Sequence, residues 1–142
     1  MRLHEQRRVQ RPRQEVYEYT ADFSNIENWD PGVVASKRLD DGPLRVGSKF
    51  ELQVKFAGGV VPMTYEINRL DPGERVVLIG KGEKLDAIDE ISFSDEGDST
   101  LIDYTADINL HNFMRYLGPL IAPAMRKVGE RALNGLVTAL ER

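Results

Sequence analysis

The sequence predicts an α+β fold: a curved antiparallel sheet of about seven strands wrapped round one long C-terminal helix, with two short helices after the first strand. Three observations predict it. Between Met125 and Glu141 the apolar residues Met125, Val128, Ala132, Leu133, Leu136 and Leu140 recur at helical spacing, opposite Arg126, Lys127, Glu130, Arg131, Asn134 and Thr138. From Val33 to Leu110 the period changes to two, the signature of half-buried strands. The breaks in that stretch are mostly short turns, and hairpin-length connections imply antiparallel neighbours.

Taken in order, residues 4–10 read as a strand, though a polar one. From Arg13 the pattern is helical, with Val16, Tyr19 and Thr20 in phase, and it ends before Ser24. A second helical turn runs from Ser24, an expected N-cap, to Asn28. Trp29-Asp30-Pro31-Gly32 then breaks the chain, because neither Pro nor Gly continues a helix well. Val33–Leu39 is a strand closed by Asp40-Asp41-Gly42-Pro43. Phe50, Leu52, Val54 and Phe56 alternate with polar residues, and Gly58-Gly59 turns them into Val61, Met63, Tyr65 and Ile67. Asp71-Pro72-Gly73-Glu74 is a turn signal leading to Arg75–Gly80. Leu85–Ser94 follows, then the turn Asp95-Glu96-Gly97-Asp98. In the last strand, Thr100–Leu110, Ile102, Tyr104, Ala106 and Ile108 share a side.

Pro119 and Pro123 are expected to kink or delay the final helix, so that its regular part begins near Met125. A helix of about 18 residues is roughly 27 Å long, enough to cross several strands. Gly129, Ala132 and Ala139 make its apolar face partly small. Part of the gap between helix and sheet is therefore expected to stay open, and that gap is the expected site.

Composition narrows the function. The 142 residues suit one domain spanning 1–142, with roughly 68–70 % of its unfolded surface buried. A hydrophobic fraction of 41 % with 30 % charged residues is that of a globular chain. No apolar run approaches the ~20 residues that span a bilayer, so membrane insertion is not expected. Met-Arg-Leu-His-Glu-Gln-Arg-Arg does not read as a secretory signal, and the cytoplasm is the expected compartment. The net charge is −4. Arg2, Arg7, Arg8, Arg11 and Arg13 form too short a basic segment for nucleic-acid binding. With no cysteine and only His4 and His111, no set of metal-ligand spacings exists. Asp95-Glu96-Gly97-Asp98 fits a hairpin turn better than a calcium loop. Gly80-Lys81-Gly82-Glu83-Lys84 lacks the spacing of a phosphate loop. No cofactor is expected.

Six segments carry a family resemblance: Glu15-Val16-Tyr17, Asn28-Trp29-Asp30-Pro31-Gly32-Val33, Val46-Gly47-Ser48-Lys49-Phe50, Pro62-Met63-Thr64-Tyr65-Glu66-Ile67, Asp89-Glu90-Ile91-Ser92-Phe93, and Ser99-Thr100 to Tyr104-Thr105-Ala106-Asp107. Over essentially its whole length the chain resembles the START-related (SRPBCC) superfamily with the helix-grip fold, in its polyketide cyclase/dehydrase-like branch. The polar first strand departs from that pattern. The resemblance implies a deep, mainly apolar pocket between sheet and long helix. Members bind lipids, hormones, polyketides, quinones or other apolar molecules, and a minority cyclise or dehydrate them. The expected function is thus a carrier or sensor for a small apolar ligand. A polyketide cyclase or dehydratase, and an interaction module with a vestigial pocket, are the alternatives. Whether the chain is an enzyme stays open, as does a homodimer.

The expected pocket measures roughly 300–1,000 Å³. Trp29 either plugs the core or lines the pocket with its indole N–H toward a ligand. Tyr65 and Tyr104 share parity with apolar positions, so each hydroxyl meets a backbone group or water, or projects into the cavity. Asp89 shares parity with Ile91 and Phe93. It is either a costly inward carboxylate with a raised pKa, or lies at the strand end, solvated or bridged to an arginine such as Arg69. If inward, Asp89 with Tyr65 or Tyr104 would handle proton transfers. Met63 and Met125 are adaptable pocket-fillers, and Ile91 joins them as an inward residue. Phe113, Met114, Leu117 and Ile121 form either simple packing or a hydrophobic gate. His111 reads as a loop residue.

Overall fold

The alternating segments become six consecutive strands, and a seventh from the start of the chain completes the sheet. The computed structural model describes all 142 residues. Its elements are β1 (Arg2–Val9), α1 (Arg13–Ala21), a 3₁₀ turn (Phe23–Asn28), β2 (Val33–Arg38), β3 (Lys49–Phe56), β4 (Gly59–Asp71), β5 (Arg75–Gly82), β6 (Leu85–Glu96), β7 (Ser99–Leu110), a second 3₁₀ turn (Asn112–Leu117) and α2 (Gly118–Leu140). One antiparallel sheet runs in the order β1-β7-β6-β5-β4-β3-β2. No helix is long and apolar enough to cross a membrane.

The polarity of β1 follows from its place at the edge. Its outward residues Arg2, His4 and Arg8 pair with Asp107, Asp103 and Glu96. Its alternate residues Leu3, Glu5, Arg7 and Val9 turn toward the interior. At the first 3₁₀ turn, Asp22 and not Ser24 is the cap: its carboxylate accepts from the Ser24 N–H at 3.0 Å. The β3–β4 hairpin turns on Ala57 and Gly58, both at positive φ, one residue earlier than the Gly58-Gly59 pair suggests. Two such residues in succession match the right-handed twist of the paired strands.

The prolines do not delay α2. It starts at Gly118 and runs 23 residues, roughly 34 Å. Pro119 sits in the first turn, where backbone N–H groups have no intrahelical acceptor to lose. Pro123 forfeits only one bond, near an exposed end.

The two halves of α2 behave differently. Ala132, Leu133, Leu136 and Leu140 are buried, whereas nothing from Gly118 to Arg131 is. The second half seats on a packed end of the core with Val9, Val16, Ile91 and Ile102, all at 0 % exposure. There α1 adds Tyr17, edge-on to Phe93 with ring centres 5.7 Å apart. The first half reaches the edge strand β1, where Gly129 faces Leu3, and borders a hollow over the strands beyond it. Within the second half Gly135 packs on the Trp29 backbone: a Cβ there would lie 2.1 Å from the Trp29 carbonyl oxygen.

Candidate functional site

The hollow under the first half of α2 is built by small residues on the sheet as much as on the helix. Ala106 and Ala87 lie on the inward face of β7 and β6, across the hollow from Gly129 and Ala132 of α2. Gly80 pairs across the strands with Tyr65, and its missing Cβ would sit 2.6 Å from the Tyr65 ring. Gly82 pairs likewise with Met63, whose Cγ lies 3.1 Å from the Cβ it lacks. The glycines that imitate a phosphate loop in sequence thus make room for two large side chains lying along the floor.

The result is a chamber of about 120 Å³, smaller than expected. An open groove of about 670 Å³ adjoins it, between the β3–β4 hairpin and Leu120, Ile121 and Ala124 of α2. Met125 and Val128 border both spaces and stand between them. Phe113, Tyr116 and Leu120, with 69 %, 72 % and 79 % of their surface exposed, are not core packing.

Inside the chamber every lining side chain is apolar or aromatic except Gly129 and three carboxylates, Glu5, Asp30 and Asp89. Asp89 faces inward and is buried. The Tyr104 hydroxyl, one inward step along the neighbouring strand, donates to its Oδ2. Burial lifts the Asp89 carboxyl to about 7; the Tyr104 hydrogen bond opposes that rise and the nearby Asp30 charge adds to it. Burial and Asp89 hold the Tyr104 phenol well above its usual value, so it stays a donor. Asp30 rises to about 6 through burial, partly offset by the Gly32 N–H that its carboxylate accepts at 2.7 Å. Tyr65 is 8 % exposed and its hydroxyl has no protein partner. The Trp29 indole N–H is buried and equally unpartnered. Its ring meets Tyr104 edge-on, centres 6.4 Å apart.

The structure brings Trp29, Met63, Tyr65, Asp89, Tyr104 and Met125 together on this chamber. Ile91 is not with them: it is fully buried at the packed end, one inward position beyond Asp89. Ile121 lines the outer groove instead, and Leu117 lines neither space. Arg69 does not reach Asp89; it pairs with Asp71 at 2.9 Å on the other face. His111 is a loop staple, with Nδ1 on the Glu83 carbonyl at 2.9 Å and Nε2 on Asp86 at 3.1 Å. Both acceptors favour its charged form, so its pKa is raised.

Sequence reasoning missed Asp30, Glu5, Gly80 and Gly135. Glu5 carries a legible signal, being in phase with Leu3 and Val9. Asp30 carries none, because a Trp-Asp-Pro-Gly corner gives no periodicity to read.

Comparison with known proteins agrees with this architecture. The fold is shared with TTHA0849 from Thermus thermophilus (18 % identity, 99 % of this chain and 97 % of that one covered, TM-score 0.84). It is shared also with the Zhui aromatase/cyclase from a Streptomyces species (14 %, 100 % and 94 %, TM-score 0.78). A START superfamily protein from Mycobacterium smegmatis is a third such structure (18 %, 99 % and 94 %, TM-score 0.74). Identities this low speak to fold alone. No curated protein matches by sequence. The family described as polyketide cyclase/dehydrase and lipid transport matches residues 1–141, end to end with the helix-grip architecture seen here, and the chain belongs to that family.

Proposed function

We propose that the protein holds a small, largely apolar molecule in the chamber, as a carrier or sensor. One observation supports this above others: a buried indole N–H without a partner borders an apolar hollow. Buried polar groups in native proteins are nearly always satisfied, so an orphan beside a hollow argues for an absent partner. The chamber is close in size to cavities of ~150 Å³ that accept benzene, so the buried part of the ligand is about one ring. Anything longer continues past Met125 and Val128 into the groove.

Trp29 is the sole tryptophan, so its emission reports occupancy. Titration with single-ring phenols is expected to give a saturable change, abolished by the chamber-filling Ala132→Phe. An unsaturable response identical in both proteins rejects the proposal.

A second reading, a cyclase or dehydratase, is favoured by the contact between Asp89 and Tyr104. A carboxyl titrating at about 7 is matched to general acid–base work at neutral pH, and the phenol beside it would orient a carbonyl. Turnover of poly-β-keto thioester analogues, lost in Asp89→Asn, is the expected result on this reading; turnover that survives the change removes Asp89 from the role.

A further inference from the structure

The chamber has a charge that its apolar walls conceal. Three carboxylates line it, and no lysine, arginine or histidine does. Only Glu5 has a cation, Arg7 at 2.8 Å, and Arg7 is tied on to Asn134 of α2. Asp89 receives the neutral Tyr104 hydroxyl, and Asp30 receives a backbone N–H. Neither Asp89 Oδ1 nor Asp30 Oδ2 has a partner. The surrounding elements add no positive charge. From α2 come Met125, Val128, Gly129, Ala132 and Leu133, from β3 Val54, and from β4 Met63 and Tyr65.

Two carboxylates facing an apolar space with no cation beside them are costly to hold, and a protein needing only a greasy hollow does better with leucine. A second, independent feature converges on the same space. Trp29, Tyr65 and Tyr104 wall it, at 3 %, 8 % and 8 % exposure, and the Tyr65 oxygen is free to accept a hydrogen bond. Aromatic faces attract a cation within ~6 Å, tryptophan most strongly, and more so when water is excluded. No three His, Asp or Glu side chains converge as metal ligands.

We infer that the chamber selects a small organic cation: a protonated amine carried on about one ring's worth of apolar carbon, its N–H groups shared between Asp89, Asp30 and the Tyr65 hydroxyl. This rests on the ligand-binding reading above and adds the ligand's charge to it. No proton leaves the amine on binding; the carboxylates must be ionised to receive it. Asp89 and Asp30, at about 7 and about 6 when the chamber is empty, therefore release protons as the cation enters. Affinity for an amine rises with pH across that range. A neutral ligand accepting a hydrogen bond from a protonated Asp89 shows the opposite trend.

The test uses three probes of nearly one shape, benzylamine, benzyl alcohol and benzoate, titrated into the intact protein from about pH 5 to about pH 8. Benzylamine stays protonated throughout. Its affinity is expected to rise by roughly tenfold or more over that range and to exceed that of benzyl alcohol at the upper end, with benzoate weakest. In Asp89→Asn the preference for benzylamine over benzyl alcohol is expected to collapse. The pH series on the unaltered chain stands whether or not that variant folds. Benzyl alcohol binding at least as well as benzylamine at the upper end overturns the cation inference and leaves the ligand chamber intact. No saturable binding of any of the three overturns both.

Discussion

Gly135 of α2 lies against the carbonyl of Trp29 so closely that an added Cβ would stand 2.1 Å from the oxygen. This contact seats the second half of the long helix beside the Trp-Asp-Pro-Gly corner, and it brings Trp29 and Asp30 to the edge of the chamber.

Gly135→Ala is therefore expected to destabilise the protein, although alanine is the better helix former by about 1 kcal/mol. The backbone oxygen cannot swing aside as a side chain would, so α2 or the corner must shift. Overpacking of this kind costs about 1–3 kcal/mol, readable as a lower urea midpoint with an unchanged slope. The Trp29 emission should change with it. An increase in stability would show that helix and corner are not in contact.

Asp89 makes stability depend on pH in a direction opposite to most carboxylates. Its folded pKa, about 7, lies above the unfolded value near 3.8, so the native state binds the extra proton. The stabilisation is fully present below about pH 4 and is lost as pH rises through about 7. Asn removes the charge but keeps the shape. Asp89→Asn is expected to be more stable than the unaltered chain at pH 8, on the order of 2–4 kcal/mol, and to lose this contribution to the pH slope. Equal stability of the two proteins at pH 8 would mean that the carboxylate is well solvated.

Tyr104→Phe acts on the same group from the other side. The phenol's hydrogen bond is the influence that lowers the Asp89 pKa, so its removal pushes that pKa higher still. The carbon-13 chemical shift of the Asp89 carboxyl, followed against pH, is expected to show a midpoint above that of the unaltered protein.

Met125 and Val128 divide the inner chamber from the open groove. Met125→Ala joins the two spaces. Met125 is only partly buried, so the loss of stability should be small, about 1 kcal/mol, below the 2–5 kcal/mol of a fully buried methionine. Ligand association and dissociation, followed by stopped-flow Trp29 emission, should both quicken. Unaltered rates would place the route of access elsewhere.

What the sequence reveals and conceals here has physical causes. Alternation in β3, β4, β6 and β7 is clean because one face of the sheet is covered and the other wet, so parity gives Met63, Tyr65 and Tyr104 the apolar side and gives Asp89 the same side without deciding whether it is inward or solvated at a strand end. Parity does not say how far along a strand the cover is tight. Asp89 and Ile91 have the same parity two residues apart, yet one borders the hollow and the other is sealed beneath the packed end. That difference is set by where α2 lifts from the sheet, a tertiary relation with no local pattern. The small face of α2 signals a gap. The matching contribution from Ala87 and Ala106 is visible only when strands distant in sequence are laid side by side. Pro119 and Pro123 mislead for a simpler reason: a helix tolerates proline at its start, and the start proves to be Gly118.

Ligand binding of any kind requires that the first half of α2 span an occupiable hollow. A crystal structure of the protein grown with benzyl alcohol tests it most directly. Ring density is expected between Ala87, Tyr65 and Ala132, with the probe's oxygen within hydrogen-bonding distance of Trp29 Nε1 or Asp89. An empty site, with Ala132 packed directly on Ala87 and Tyr65, would remove the hollow.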